Sequence, residues 1–426
     1  KKMYDLITTY NPTTGQFGLP NTDIAKANYL RDAEYRNTNW FDKLFSNAIM
    51  QNHSVSVSTG TEKSQSYVSL SAMYDPGWNK QSKVQRYTVN QNTTYNISKK
   101  LSVNLIGNAS YRKQRAPGTL GSQVDAVSGE VRRDFDINPY SYALNTSRAL
   151  DPNEYYTRSY ADFNIFHELE SNYMDLKVSD FRVSASIDYK PITKLKFTFL
   201  AAMKGTSTSQ EHMIHDDSNE AMSYRAMGNS TIRNNNPLLY RDPDDIYALK
   251  ISILPNGGIY NRTDNDMFGW DTRLSMSYND VFHNDHIVNF YGGMETNSVN
   301  RRTTWFRGYG LQYSLGEVAN YAYQAFKMGE EQNTDYYTLS NRFTRSAAFF
   351  GTATYSYQGK YTLTGTARYE GTNYLGKATS ARWMPTWNVS GVWNAHEEKF
   401  FQPLKPAFSH ATLRLSYSLT GDRPSV

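Results

Sequence analysis

The sequence predicts an all-β chain that forms a transmembrane antiparallel β-barrel, and three observations predict it. Apolar and polar residues alternate with period two over segments of about 10 residues, long enough to cross a bilayer when tilted. Tyrosine reaches 34 residues in a chain of 426 whose mean hydropathy is only −0.68. The connections between segments alternate short and long. Together these describe a wall with an aromatic outer face, a wet inner face, short periplasmic turns and long extracellular loops.

About twelve segments carry the alternation, beginning near His53, Ser64, Val84, Leu101, Val178, Lys194, Met267, Asp285, Arg342, Lys360, Arg382 and His410. Phe181, Val183, Ala185, Ile187 and Tyr189 alternate with Arg182, Ser184, Ser186, Asp188 and Lys190. Leu195, Phe197, Phe199, Ala201 and Met203 follow after a turn at Pro191-Ile192-Thr193-Lys194. Phe268, Trp270, Leu274, Met276 and Tyr278 alternate with Asp271, Arg273, Ser275, Ser277 and Asn279. Tyr361, Leu363, Ala367 and Tyr369 alternate with Thr362, Thr364, Thr366, Arg368 and Glu370, and Leu413, Leu415, Tyr417 and Leu419 with Thr412, Arg414, Ser416 and Ser418.

The short connections fall near Gly60, at Ser98-Lys99-Lys100, at Pro191-Ile192-Thr193, from Asp280 to Asn284, and near Gly359. The long ones run from Asp75 to Lys83, Gln114 to Lys177, Thr206 to Asp266, Asn300 to Asn341 and Gly371 to Ser380. Ala395 to Ser409 breaks the rule, being longish on the short-turn side. A soluble two-layered β-protein is the competing architecture. It needs apolar inner faces and hidden edges, whereas these polar faces are uniformly rich in Ser, Thr and Asn and the apolar faces are too aromatic to meet water on so many strands.

Composition narrows the function. Lys plus Arg is 45 against 40 Asp plus Glu, a net charge of +5, too balanced for a phosphate-neutralising surface. Cysteine is absent, which excludes disulfides, thiolate zinc sites and a cysteine nucleophile within this chain. No stretch approaches the ~20 apolar residues of a membrane helix. The chain starts Lys1-Lys2-Met3 and stops at Arg423-Pro424-Ser425-Val426, and it reads as a piece of a longer protein.

Several motifs in order then resemble one family. Asn37 to Phe45 (NTNWFDKLF) is similar to the segment leading into the barrel of SusC/RagA-type TonB-linked outer-membrane proteins, and Gln51 to Gly60 (QNHSVSVSTG) to the strand that follows it. Tyr67 to Leu70 and Tyr74-Asp75-Pro76-Gly77 stand where that family has a strand and its turn. Ser346 to Tyr361, Arg368 to Asn373, Arg382 to Trp393, Glu397 to Phe400 and Leu413 to Gly421 resemble its later hairpin, turn and strand motifs. The likeness covers residues 37–112 and 342–421; the middle matches in strand rhythm.

The resemblance implies a TonB-dependent transporter of ~22 strands with an N-terminal plug. Residues 1–50 would be the plug-to-barrel junction and 51–426 the first part of the barrel, without the TonB box. It further implies import of oligosaccharides or peptides, a SusD-like surface lipoprotein as lid, TonB acting through the plug, and an outer-membrane location. A barrel recruited as a structural or docking subunit of a larger outer-membrane complex is the alternative. No cofactor is expected.

No catalytic constellation is present: there is no Gly-Lys-[Ser/Thr] phosphate loop, nucleophile elbow or His-Glu-x-x-His, and no enzyme is expected. His212 and His215, like His283 and His286, are three apart, and on a strand such positions face opposite ways. Asp242, Asp244 and Asp245 are the candidates for a structural calcium, against ordinary Asp turn chemistry. Trp305, Phe306, Tyr309, Tyr313, Tyr321 and Tyr323 fall in one expected extracellular loop. Aromatic rings there suit sugar faces, peptide side chains or a lid. Arg182, Arg273, Arg368 and Arg414 alternate with apolar residues, so they are expected to face the lumen and its plug, because a charge facing lipid costs ~2–4 kcal/mol at the midplane.

Overall fold

The computed structural model describes residues 2–118, 123–124, 131–132, 135–245, 247–374 and 382–421. Twelve strands form one antiparallel sheet in strict sequence order. They are β1 (Gln51–Gly60), β2 (Ser64–Asp75), β3 (Lys83–Ser98) and β4 (Leu101–Pro117). Next come β5 (Asn172–Ile192), β6 (Leu195–Ile214), β7 (Gly258–Phe282) and β8 (His286–Gln312). The last four are β9 (Tyr337–Tyr357), β10 (Tyr361–Thr372), β11 (Trp383–Asn394) and β12 (Thr412–Leu419). A two-residue strand, Val318–Ala319, adds to the tip of β8. β1 and β12 lie at the two edges of the sheet, each exposed along its whole length.

The two faces differ as the alternation requires. On the apolar face Val183 is 53% exposed and Phe349 53%, which is the state of a side chain that meets lipid instead of a protein core. Hydroxyls on that face satisfy each other across strands, Ser66 with Thr93 at 2.8 Å and Thr272 with Thr296 at 2.7 Å, since hydrocarbon offers them no partner. The opposite face carries ladders of amides and hydroxyls. Asn108 donates to Asn90, which donates to Ser69; Asn104 donates to Asn92; Thr354 meets Thr364. Such cross-strand pairs contribute roughly 0.2–1 kcal/mol each.

The short turns are built for right-twisted hairpins. His283 and Asn284 (φ 52° and 60°), and Gln358 and Gly359 (φ 52° and 67°), adopt the paired left-handed conformations of tight two-residue turns. The long connections fold on themselves, and most of the large buried apolar residues gather there and at the strand tips beside them. Trp40, Leu44, Ile137, Ala143, Phe163, Ile165 and Leu169 form one cluster. Ile214, Ala221, Leu254 and Ile259 form a second, over the tips of β6 and β7.

One expectation is corrected. Strand pairing continues well into three of the expected loops: β4 and β5 pair up to Pro117 and Tyr173, β6 and β7 up to Ile214 and Ile259, β8 and β9 up to Phe306 and Tyr337. At 25 and 27 residues, β7 and β8 are more than twice the ~9–11 residues of one crossing. Beyond the lipid both faces meet water, so the apolar alternation that marks a strand fades while the hydrogen bonds continue. The segment from Gly371 to Ser380 lies partly outside the described residues.

The segment just before β1 has its own packing. β1 ends in the short turn before Ser64, so Gln51 starts at the long-connection end. The residues before it pack there too. Thr38 N–H donates to Arg148 O (2.8 Å) and Trp40 Nε1 to Ser147 O (3.0 Å). Lys80 N–H donates to Leu44 O (3.2 Å), and the Phe45 ring stacks on Trp78 at 4.9 Å. Residues 38–45 thus pack against the long connections, two of these contacts reaching partners more than a hundred residues away.

Candidate functional site

The site begins with β8, whose outer half projects past the membrane-crossing length. Successive residues there point to opposite faces, so Trp305 and Phe306 do not share an environment. Phe306, Tyr309 and Tyr321 line one cavity of about 260 Å³ together with Arg307, Phe326 and Tyr336. The helix Tyr323–Glu331 supplies Phe326, which stands edge-on to Tyr336 at 5.1 Å. The chain returning from that helix is tied down where Arg307 N–H donates to Tyr336 O (2.8 Å). The Arg307 guanidinium lies 5.1 Å from the centre of the Tyr309 ring. The cavity is thus an aromatic box with one cation in its wall, suited to flat or apolar groups with a polar handle.

The other three aromatic candidates lie elsewhere. Trp305 pairs with Thr263 and Thr338 within the sheet. Tyr313 donates its hydroxyl to Ile259 O (3.0 Å) and stacks on His215 at 4.3 Å, and burial holds its hydroxyl above the ordinary range. Tyr323 is 70% exposed at the start of its helix. Phe326 and Tyr336 were missed by sequence reasoning, although both fall in the segment from Asn300 to Asn341.

Behind the box lies a buried polar cluster that no motif announces. Glu168 and Glu220 are both buried. Asn219 N–H donates to one Glu168 oxygen at 2.8 Å, and its side-chain amide donates to the carbonyls of Arg158, Ala161 and Asp162. Arg307 Nη2 stands 3.8 Å from Glu220. Burial pushes both carboxyls up to about 7, opposed at Glu168 by the Asn219 hydrogen bond and at Glu220 by Arg307.

Three of the four arginines expected in the lumen converge. Arg182, Arg273 and Arg368 line a cavity of about 370 Å³ on the polar face with Lys204, Asp271 and Glu295. Glu295 bridges two of them, accepting from Arg273 Nη2 and Arg368 Nη2 at 2.5 Å each. Arg368 also reaches Glu370 (2.7 Å), and Lys204 reaches Asp271 (3.3 Å). Arg414 is on the edge strand β12, opposite Val392, and is not in this group. Sequence reasoning did not single out Glu295, which joins them.

Asp242 and Asp244 come together, but with Glu331 instead of Asp245. Lys327 Nζ already sits 2.5 Å from Asp242 and 3.4 Å from Glu331, and Tyr240 donates to Glu331 at 2.7 Å. The Asp242 hydrogen bond holds the Lys327 ammonium above its usual range. The Lys327 ammonium thus pairs with two of the three carboxylates of this group. His286 Nδ1 is 2.7 Å from Tyr355 Oη, and His212 Nε2 is 2.6 Å from Asn172 Oδ1, so each of these rings has a partner other than a metal.

No protein-family model matches the sequence. TonB-dependent receptor P26 of Formosa agariphila is 22% identical over 400 residues, covering 91% of this chain and 34% of its own length. The structure of the RagAB peptide transporter superimposes with a TM-score of 0.59 at 15% identity, over 93% of this chain and 40% of that one. The chain has the barrel fold of a SusC/RagA-like TonB-dependent transporter. The RagAB peptide importer in its closed-closed state superimposes at 0.57, with 12% identity over 90% of this chain and 38% of its own. This RagA-like chain therefore spans about a third of the curated relative's length. It is an outer-membrane β-barrel chain, whose apolar face suits lipid and whose polar face suits a wet lumen.

Proposed function

We propose that the protein containing this chain imports oligosaccharides or peptides across the outer membrane, driven by TonB and lidded by a SusD-like surface lipoprotein. The observation that carries the reading is the tall outer extension of β5 to β9, with the aromatic box of Phe306, Tyr309, Tyr321, Phe326 and Tyr336 at its tip. A simple pore needs only a crossing-length wall. This wall holds rings and a cation well outside the membrane, where a substrate arrives or a lid closes. The likeness to a peptide transporter and peptide importer supports peptides as one substrate class. Arg182, Arg273 and Arg368, the last two bridged by Glu295, would present a hydrogen-bonding lumen surface to the plug.

The test is to purify the full-length protein from native outer membranes in detergent and identify what accompanies it. A stoichiometric surface lipoprotein, and loss of uptake in a strain lacking TonB, is the expected result. Recovery inside a larger assembly of secretion or insertion proteins, with uptake intact without TonB, overturns the import reading in favour of a docking subunit.

A further inference from the structure

The lipid-facing side of β7 to β11 is not a smooth band. A cavity of about 590 Å³ opens on it between Trp270 and Trp383, floored by Ser298, Asn300 and Ala347. Asn300 also lines a second cavity of about 350 Å³, which continues along the same face past Phe268 and Phe343 to Phe181. The floor is low because its side chains are small, and the walls are high because rings lie flat on neighbouring glycines. A Cβ at Gly371 would stand 2.5 Å from the Trp383 ring, and one at Gly205 would strike Phe181. Trp383 in turn stacks on Tyr369 at 5.0 Å and on Phe349 at 6.5 Å. This is an aromatic belt with a groove cut through it.

Cations line that groove. Arg302 on β8, Arg345 on β9 and Arg382 just before β11 border it, against one lining carboxylate, Asp266, which accepts from Ser207 at 2.7 Å and stands opposite Arg302 in the strand register. The register sets Trp270, Ser298 and Arg345 side by side on three strands, so Arg345 sits at belt level. Its backbone is fixed there: Arg345 N–H donates to Asn373 Oδ1 (2.7 Å) and Asn373 N–H to Arg345 O (3.0 Å). A guanidinium on an outward face is costly in hydrocarbon and tolerated at the interface. What that interface offers it is a phosphate, which its planar fork binds through two parallel hydrogen bonds.

We propose that this outward groove binds the phosphate-bearing headgroup of an outer-leaflet lipid. Arg345, Arg302 and Arg382 hold the phosphate, Ser298 and Asn300 hydrogen-bond the headgroup, and the acyl chains lie along Phe349 and Trp383. The inference rests on the outer-membrane placement and not on import, so a barrel that fails to transport still tests it.

The probe is diphosphoryl lipid A in mixed detergent micelles, added to the delipidated full-length protein, with bound lipid counted by native mass spectrometry. The same lipid stripped of its phosphates, and inorganic phosphate alone, are the comparisons. The phosphorylated lipid is expected to bind at least about tenfold better than the stripped one, and the Arg302→Glu/Arg345→Glu pair to lose that preference. Lys99→Glu, in a short turn at the far end of the wall, is expected to leave it unchanged. Arg345→Gln serves if the double variant no longer shows the heat-modifiable gel migration of a folded barrel. Equal binding of the stripped lipid, or preference unaltered in a folded arginine variant, overturns the proposal. Inorganic phosphate binding as tightly as the lipid overturns the lipid assignment.

Discussion

At the scale of single residues, the wall is decided by parity. Val183 and Ser184 are neighbours on β5, yet one meets lipid and the other the lumen. Val183→Lys is expected to cost ~2–4 kcal/mol if it lies near the midplane and to leave most of the protein unassembled, whereas Ser184→Lys assembles normally. Heat-modifiable gel migration of membrane fractions measures both, and equal behaviour would mean the faces are misassigned. Parity also made Arg182, Arg273 and Arg368 legible in the sequence. It said nothing about Glu295, because which carboxylate an arginine meets depends on the register between strands, and register is not written in either strand alone. Glu295→Gln removes the charge between Arg273 and Arg368, replaces one of its two acceptor oxygens with a donor NH2, and sets two cations against each other. A loss of about 1–3 kcal/mol in unfolding free energy is expected, read as a lower urea midpoint, and an unchanged midpoint would show the bridge to be unimportant.

At the scale of elements, strands and connections were unequally legible for one physical reason. Alternation is a local property, so a strand announces itself within ten residues or so. The connections are held by distant partners: Trp40 reaches Ser147, Asn219 reaches Arg158, and Arg307 faces Glu220. No window of sequence contains both ends of such a contact. The helices carrying Glu168 (Ile165–Ser171) and Glu220 (Asn219–Ser223) show the consequence. Both carboxyls are buried with one oxygen left without a hydrogen-bond partner, and burial raises both to about 7 from 4.5. A raised carboxyl binds its proton more tightly in the folded state. Its contribution to stability is therefore full at low pH and declines as pH rises from about 4.5 to 7, on the order of 3 kcal/mol for each group. Amide exchange over 156–171 and 214–224 is expected to quicken between pH 5 and pH 8 beyond its intrinsic pH dependence. Glu220→Gln, which cannot ionise, is expected to flatten that trend; an unchanged trend would place the pH sensitivity elsewhere.

At the scale of the whole molecule, the sheet has no apolar core of its own, because one face meets lipid and the other water. The two buried clusters sit in the long connections, which makes the outer layer the part that packs like a soluble protein. Residues 38–45 pack against that layer beside the start of β1. β1 runs from that end to the turn at Thr61 to Lys63, so on the import reading Tyr35, which is 78% exposed, is expected outside the cell. Lys99, in the turn between β3 and β4, is expected on the periplasmic side. These 426 residues hold no cysteine, so an introduced thiol has no competitor within them, and the parent protein without it is the labelling control. Tyr35→Cys is expected to react with a membrane-impermeant maleimide on intact cells, and Lys99→Cys only after the outer membrane is permeabilised. Labelling of both without permeabilisation would mean the layer is not sealed from the periplasm by the wall. The reverse pattern would invert the wall, move the aromatic box to the periplasm, and end the import reading along with the outer-leaflet lipid site.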